Sequence, residues 1–150
     1  MQYQCRKQLP HSIPHWVDTD NAVFFITVCC EQKGENVLCN QKNANAIWES
    51  IETRIKQDLW HPHLVLLMPD HLHMLVVFNL HLKSMSKIMA SWKSWCRKKT
   101  GINWQRSFFD HRLRNDESLR EKAGYILNNP VRKQYVKEWK DWKYYWLPSK

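Results

Sequence analysis

Two histidines, His71 and His73, flank Leu72 inside an apolar run and have a spacing that suits a metal ion. If the run is a β-strand, side chains two residues apart project from the same face, so both imidazoles can reach one ion. The pattern is a weak signal by itself, because such a spacing arises by chance in a chain with 8 histidines. We interpret the pair as a candidate two-ligand half-site.

A second pair with the same spacing, His61 and His63, is interpreted as structural. Pro62 between them disfavours regular pairing in a central strand, which places this pair at a strand end. A two-residue turn at Pro69-Asp70 would also put His63 on the sheet face opposite the first pair.

A tyrosine and an amide share one flank of a predicted helix, in the stretch DESLREKAGYILNNP. At about 100° per residue, the apolar side of this helix carries Leu119, Ala123, Ile126 and Leu127. Tyr125 and Asn129 fall together on another flank, one turn apart, where both can point at one site. Without further context, a half-buried packing tyrosine is the alternative. Gly124 either admits a substrate backbone or allows tight packing.

Composition favours a nucleic-acid partner. The 150 residues include 23 Lys and Arg against 14 Asp and Glu, for a net charge of +9, together with 9 tryptophans. Excess positive charge attracts a polyanion, and aromatic side chains stack on unpaired bases, although each single tryptophan is more often a core residue. No apolar run is long enough for a membrane span and no signal peptide is evident, so we expect a cytoplasmic protein with five reduced cysteines.

Local patterns predict an α+β fold with a ferredoxin-like split βαβ plan and an added C-terminal catalytic helix. Ser84 and Asp116 are the expected caps of the second and third helices, and Gly101 ends the second. In chain order the predicted elements are a strand at 22–30, a helix at 40–59, two strands within 63–78 joined at Pro69-Asp70, a helix at 82–99, a strand at 108–114 and a helix from Asp116 to Asn129. We expect one domain over 1–150, with a basic arm at 1–21 and an aromatic tail at 131–150 lying along its surface.

Several motifs occur in an order and at spacings that resemble the REP-associated tyrosine transposases, within the HUH single-strand endonucleases. They cover nearly the whole chain: LPHSIPHWVDTDNAVFFITV before and into the first strand, MPDHLHML around the histidine pair, WQRSFFDHRLRND, and YILNNPV around the tyrosine.

The resemblance implies roles for the candidate residues. His71 and His73 would bind Mg²⁺ or Mn²⁺, with Asn129 as the third ligand, and Tyr125 would be the nucleophile. Cleavage would leave a 5′-phosphotyrosine and a free 3′-OH beside a REP-type DNA hairpin. A neutral set of two nitrogens and one oxygen is compatible with these ions and binds them weakly. Relatives with a long tail favour a monomer, with a dimer as the alternative.

Basic and aromatic residues are the expected DNA contacts. Basic side chains position DNA through its phosphates. The candidates are Arg6, Lys7, Lys83, Lys87, Arg106 and Lys122. Trp16, Trp92 and Trp95 are candidate stacking residues, although a core role is favoured for each.

Two departures from the family pattern stand out. Asp70 occupies a position where many relatives carry asparagine, and it either orients a ligand histidine or only forms the turn. The ending WKYYWLPSK lacks the aromatic-Ser-Ser sequence expected there. The alternatives to a tyrosine nuclease are a domain that binds structured single-stranded DNA or RNA without cutting, and a metal hydrolase that uses activated water, for which no general base is evident.

Overall fold

The computed structural model describes residues 22–114 and 118–149. In chain order the elements are β1 (Phe24–Cys29), α1 (Gln41–Lys56), β2 (Trp60–Met68), β3 (His71–Phe78), α2 (Met85–Thr100), β4 (Phe109–Arg112), α3 (Leu119–Leu127), α4 (Asn129–Arg132), a 3₁₀ turn (Trp139–Asp141) and β5 (Tyr145–Trp146).

The strands form a five-stranded sheet in the order β4-β1-β3-β2-β5. Every pairing in it is antiparallel. The first four strands follow the split βαβ plan, in which β3 lies between β1 and β2, so the predicted α+β ferredoxin-like fold is confirmed. The predicted turn at Pro69-Asp70 is also confirmed, since β2 ends at Met68 and β3 begins at His71.

The sheet has two differently covered faces. On the first, which we call the helical face, α1 and α2 pack a large core that includes Ile47, Ile51 and Trp92 against Leu72. On the second, the histidine face, His71 and His73 lie opposite Met68 and Leu66 of β2, beside a smaller apolar cluster. Because neighbouring positions of a strand point to opposite faces, one register decides the contents of both layers.

The helix ends agree with the predicted signals in part. Ser84 caps α2 by accepting from the Lys87 amide, and Gly101 ends it with a left-handed φ of 79°. The prediction that Asp116 caps the third helix was wrong: Ser118 is the N-cap, accepting from the Glu121 amide, and Asp116 lies outside the described residues. A serine hydroxyl one residue before the first helical turn reaches the free amides directly.

Helix α1 stops short of the predicted end at 59 because Asp58 adopts a left-handed φ of 56°. Strand β2 then begins at Trp60 rather than His63, and it accommodates Pro62 through a register shift between Pro62 and Leu64. His61 and His63 are both exposed there, and His61 Nε2 lies 2.6 Å from Asp58 Oδ1. Their structural interpretation agrees with this placement.

The C-terminal segment is part of the sheet, which the sequence patterns did not predict. Strand β5 pairs with β2, and the Leu67 amide donates to the Tyr144 carbonyl at 2.8 Å. Trp142 donates its indole N–H to the Leu67 carbonyl at 2.9 Å. Its ring stacks on Tyr135 with centroids 5.5 Å apart.

The expectation of five reduced cysteines was wrong at Cys29, which is disulfide-bonded. Cys30, Cys39 and Cys96 are free and buried, and burial raises the pKa of each of these thiols to about 12. Cys5 lies outside the described residues. Among the helices of the described ranges, none has the length and apolarity needed to cross a membrane.

Trp142 tests how far the C-terminal segment stabilises the domain, since its ring packs against the apolar clusters on both faces. We expect Trp142→Ala to lower the free energy of unfolding by about 3 kcal/mol, from lost burial and a lost hydrogen bond. Urea denaturation measures this change. Leu147→Ala, at a side chain that is 43% exposed, is the matched control and should change stability by less than about 0.5 kcal/mol. Equal effects of the two substitutions would contradict a structural role for the segment.

Candidate functional site

His71 and His73 lie side by side on the histidine face at the start of β3. Their ring centroids are 4.9 Å apart with planes 76° from parallel. Both side chains are buried, His71 at 6% and His73 at 3% exposure. The strand therefore brings two imidazoles together in a layer that is otherwise apolar at Leu64, Leu66 and Leu75.

A neighbouring oxygen holds each imidazole through its Nδ1 atom. Thr27 Oγ1 lies 2.9 Å from His73 Nδ1, and Asp70 Oδ1 lies 2.7 Å from His71 Nδ1. The Phe25 ring stacks on His73 with centroids 5.3 Å apart. These contacts restrain the rotation of both rings, as oxygen partners do for histidines that bind metals.

Asp70 combines the two roles that the sequence left open. It forms the β2–β3 turn and its carboxylate contacts His71, while its other oxygen accepts from the Gly34 amide at 2.9 Å. These hydrogen bonds, with that of His71 first, lower the pKa of Asp70 from 3.8 to about 2. The Asp70 carbonyl also accepts from the Cys30 amide, which ties the turn to the segment after β1.

Burial keeps His73 neutral. Desolvation, followed by the positive charges of His71 and Arg132, lowers the pKa of His73 well below its usual value. A neutral imidazole is the form that binds a metal ion. Its environment therefore supplies the protonation state that the candidate half-site requires.

Helix α3 packs on the histidine face through the apolar side that the sequence predicted. Ile126 is 1% exposed and packs in the cluster of Leu64, Leu66 and Leu75. Leu119, Ala123 and Leu127 are partly buried against the same cluster. Tyr125 lies off this stripe and is 53% exposed, so the phenol is accessible. The alternative of a half-buried packing tyrosine does not hold.

The helix breaks directly after the tyrosine turn. Asn128 ends α3 and donates its side-chain amide to the Gly124 carbonyl at 2.8 Å. Asn129 opens α4 and is partly exposed, followed by the buried Pro130. A side chain built on Gly124 would meet no described atom within 4 Å, so packing against the described residues does not require glycine there.

Arg132 is a residue that the sequence patterns missed. Its guanidinium carbon lies 3.9 Å from the centroid of the Tyr125 ring. Its positive charge also contributes to the lowered pKa of His73. An arginine seven residues after a tyrosine carries no recognisable sequence signal.

The predicted DNA contacts separate into two groups. Lys122 lies with its ammonium 5.8 Å from the Phe25 ring, which itself stacks on His73. Arg106 is exposed and follows Gln105, whose amide donates to the Cys29 carbonyl, opposite His71 in the sheet. Lys122 is therefore close to His73, and the backbone before Arg106 pairs with the strand next to the histidine pair.

The remaining predicted contacts are not brought to the histidine pair. Lys83 and Lys87 are exposed at the start of α2, which packs on the helical face. Trp92 is fully buried in the core of that face, and Trp95 is partly buried with the Arg54 guanidinium carbon 5.9 Å from its ring. Arg6, Lys7 and Trp16 lie outside the described residues.

The donor atoms at this site are consistent with a weak divalent-ion site. Within residues 22–114 and 118–149, no group of three or more His, Cys, Asp or Glu side chains is arranged to hold a metal. A site made of two imidazoles and one side-chain amide would not be such a group, because it contains only two side chains of these residue types. Two oriented imidazoles fit such a site, and Asn129, at the start of α4, is the amide that follows Tyr125 in the chain.

Fold and site together define a split βαβ sheet with a histidine pair under a tyrosine-bearing helix. A solved structure of a REP-associated tyrosine transposase bound to a REP hairpin has this fold, with a TM-score of 0.74 and 20% identity over 91% of this chain and 82% of that one. A Haemophilus influenzae protein named as a REP-associated tyrosine transposase is 26% identical, covering 84% of this chain and 80% of its own length.

An uncharacterised protein of the same organism is 25% identical over 79% of this chain and 86% of its own length. No family model matches the chain. The resemblance to REP-associated tyrosine transposases that the sequence motifs indicated is thus confirmed by a curated relative and by a solved structure.

Asp70 gives a pH-dependent test of how the turn is held. Its folded-state pKa is depressed from 3.8 to about 2, so its stabilising effect is complete above pH 3.8 and is lost as the pH falls towards 2. We expect Asp70→Asn to cost about 2 kcal/mol at pH 7. Urea midpoints between pH 2 and 7 should show the difference from the unmodified protein shrinking below pH 3.8. Asp141→Asn, at an exposed carboxylate, is the control, and a pH-independent deficit in Asp70→Asn would contradict this account.

Proposed function

We propose that this protein is a REP-associated tyrosine transposase, which cleaves and rejoins single-stranded DNA beside a REP-type hairpin. Tyr125 is the nucleophile, and His71, His73 and Asn129 are the ligands of a divalent ion, Mg²⁺ or Mn²⁺. The observation that carries the proposal is the pair of buried, oriented imidazoles on β3 beneath the helix that exposes Tyr125. The hairpin follows from the DNA in the neighbouring solved structure.

The ion would be held through Nε2 of each histidine, because Thr27 and Asp70 contact the two Nδ1 atoms. When bound, it would polarise the phosphate and stabilise the charge that develops there. Asn129 would add an amide oxygen from the first residue of α4. Since no carboxylate contributes, we expect weak binding that improves when substrate phosphate is present.

Tyr125 supplies the covalent chemistry. A phenol has a pKa of about 10, so it needs a polarised phosphate to react at neutral pH. Its oxygen forms a bond to phosphorus as the bond to the 3′ oxygen breaks. The phenolic proton passes to solvent, and the departing oxygen takes up a proton to become a 3′-OH. Because the 5′-phosphotyrosine conserves the phosphodiester energy, a 3′-OH can reverse the step and join strands.

The basic surface near the pair supplies the DNA contacts of the cleavage site. Lys122 and Arg106 would hold phosphates there, and the net charge of +9 favours the polyanion generally. Lys83 and Lys87 lie on the other layer of the domain, so we leave them out of the cleavage site. Arg6 and Lys7 remain candidate backbone contacts of the N-terminal arm.

A monomer is the expected functional form. Ile126 packs α3 onto the sheet of its own chain, which supports a site built from one molecule. Strand β5 covers the outer edge of β2 over the paired residues, Val65 and Leu66. Sedimentation velocity measures the oligomeric state directly.

The proposal predicts a covalent adduct. Incubation with a REP-like hairpin oligonucleotide, carrying single-stranded flanks, and Mn²⁺ should give a protein–DNA species that survives denaturation, together with a free 3′-OH fragment. Tyr125→Phe should abolish both products, because no phenolic oxygen remains to attack phosphorus. Denaturing gel electrophoresis of labelled DNA measures this.

Tyr135→Phe is the matched control, since Tyr135 is equally exposed at 53% and should be dispensable. Cleavage that persists in Tyr125→Phe would overturn the tyrosine mechanism. Cleavage that needs no divalent ion would overturn the roles of His71 and His73. Tight hairpin binding without any cleavage would favour a binding domain instead.

Thr27 gives a test of the metal site that does not depend on cleavage. Thr27→Val keeps the volume but removes the oxygen at His73 Nδ1, so we expect Mn²⁺ to bind about 10–100-fold more weakly. Titration followed by the electron paramagnetic resonance of free Mn²⁺ measures the dissociation constant. Thr27→Ser, which keeps the hydroxyl, should retain most of the affinity. Unchanged affinity in Thr27→Val would show that this contact does not orient a ligand.

A further inference from the structure

Arg132 contacts the proposed nucleophile twice, although a break in the helix separates the two residues. Its guanidinium carbon lies 3.9 Å from the centroid of the Tyr125 ring. Its Nη2 donates to the Tyr125 carbonyl oxygen at 2.7 Å. A residue with an exposed ring is therefore held at its backbone and at its side chain by one cation.

Helix capping explains only part of this arrangement. Tyr125 lies in the last turn of α3, where carbonyl groups have no partner within the helix, and arginine often supplies the missing donor. A cap requires the hydrogen bond to the carbonyl but does not require contact with the ring. The contact with the ring places the positive charge of Arg132 beside the phenol, and a capping role does not explain this position.

The planar shape of the guanidinium allows a further contact. Stacking on an aromatic ring uses its face, whereas its N–H groups point outward along its edge. The contact with the Tyr125 carbonyl uses Nη2, so other N–H groups of the fork can bind an anion without displacing the ring. Arginine binds phosphate oxygens through such paired donors.

The position of the Arg132 guanidinium relative to the histidine pair indicates which anion Arg132 would bind. Ile126, next to Tyr125, packs in the cluster of Leu66, which pairs with His73 in the sheet. The Tyr125 turn, with the guanidinium on its ring, therefore lies on the histidine face. A phosphate attacked by the Tyr125 oxygen while bound at the histidine pair must place its oxygens in this region. Lys122 contacts the Phe25 ring, which stacks on His73, rather than the Tyr125 ring.

We propose that Arg132 binds a non-bridging oxygen of the scissile phosphate while its guanidinium face holds the ring of Tyr125. The proposal rests on the cleavage function proposed above and adds a residue to it. Arg132 would align the nucleophile with its target and neutralise charge that develops on the phosphate. Neither the motif spacing nor the ligand set of the metal requires an arginine here.

The test uses single-turnover cleavage of a REP-like hairpin oligonucleotide with Mn²⁺ by the whole 150-residue chain. Cleavage of the native strand by the unmodified protein first maps the scissile phosphate. We expect Arg132→Ala to slow adduct formation by about 10²–10³-fold, the usual effect of losing one charge-stabilising donor. Arg132→Lys keeps the charge but not the planar fork, and should lose less. Arg120→Ala, at an exposed arginine of α3, the helix that carries Tyr125, is the matched control.

A neutral methylphosphonate at the mapped position separates phosphate binding from capping. One of its two diastereomers replaces the oxygen that Arg132 binds. This diastereomer should slow adduct formation by the unmodified protein but should slow adduct formation by Arg132→Ala little further. If each diastereomer slows Arg132→Ala as much as the unmodified protein, Arg132 only supports the helix and the proposal is wrong. A normal rate in Arg132→Ala overturns this proposal alone, whereas no adduct from the unmodified protein overturns the cleavage function as well.

Discussion

The strict alternation of side chains along β3 is the constraint on which the rest of the structure depends. The two-residue turn at Pro69-Asp70 sets β3 against β2 so that His71 and His73 share a face with Leu66, while Leu72 enters the core under α1 and α2. A shift of one residue would bury both imidazoles in that core and expose the leucine to the other layer. The fold therefore selects one register strongly, and the candidate site follows from it.

Two polar residues make that register tolerable inside an apolar layer. A buried imidazole loses hydration, and its partners, Thr27 on the neighbouring strand and Asp70 in the turn, offset part of this cost. Desolvation lowers the pKa of His73, so the ring stays neutral, as a metal ligand must be. The hydrogen bonds that compensate for the burial of the two imidazoles therefore also fix the orientation of their rings.

Helix α3 is attached more lightly than the helices of the other face. Ile126 is its buried residue, whereas α1 and α2 each bury several side chains. Light attachment leaves Tyr125 exposed for a substrate, and Arg132 then supplies a local restraint on its ring. The C-terminal segment adds a different restraint, because Trp142 joins the β2 backbone to apolar side chains of both layers.

The sequence by itself determined the order of the first four strands and three helices, the two-residue turn, and the flank of α3 that carries Tyr125, because these depend on local periodicity. It misplaced the cap of α3 and treated the C-terminal segment as a surface tail, since β5 is held by pairing with a distant strand rather than by its own propensity. Only the tertiary structure decided that Thr27 and Asp70 orient the two imidazoles, that Lys83 and Lys87 lie on the other layer, and that Arg132 stacks on Tyr125. Each of these outcomes depends on distances across the sheet or across a helix break, which residue spacing along the chain does not encode.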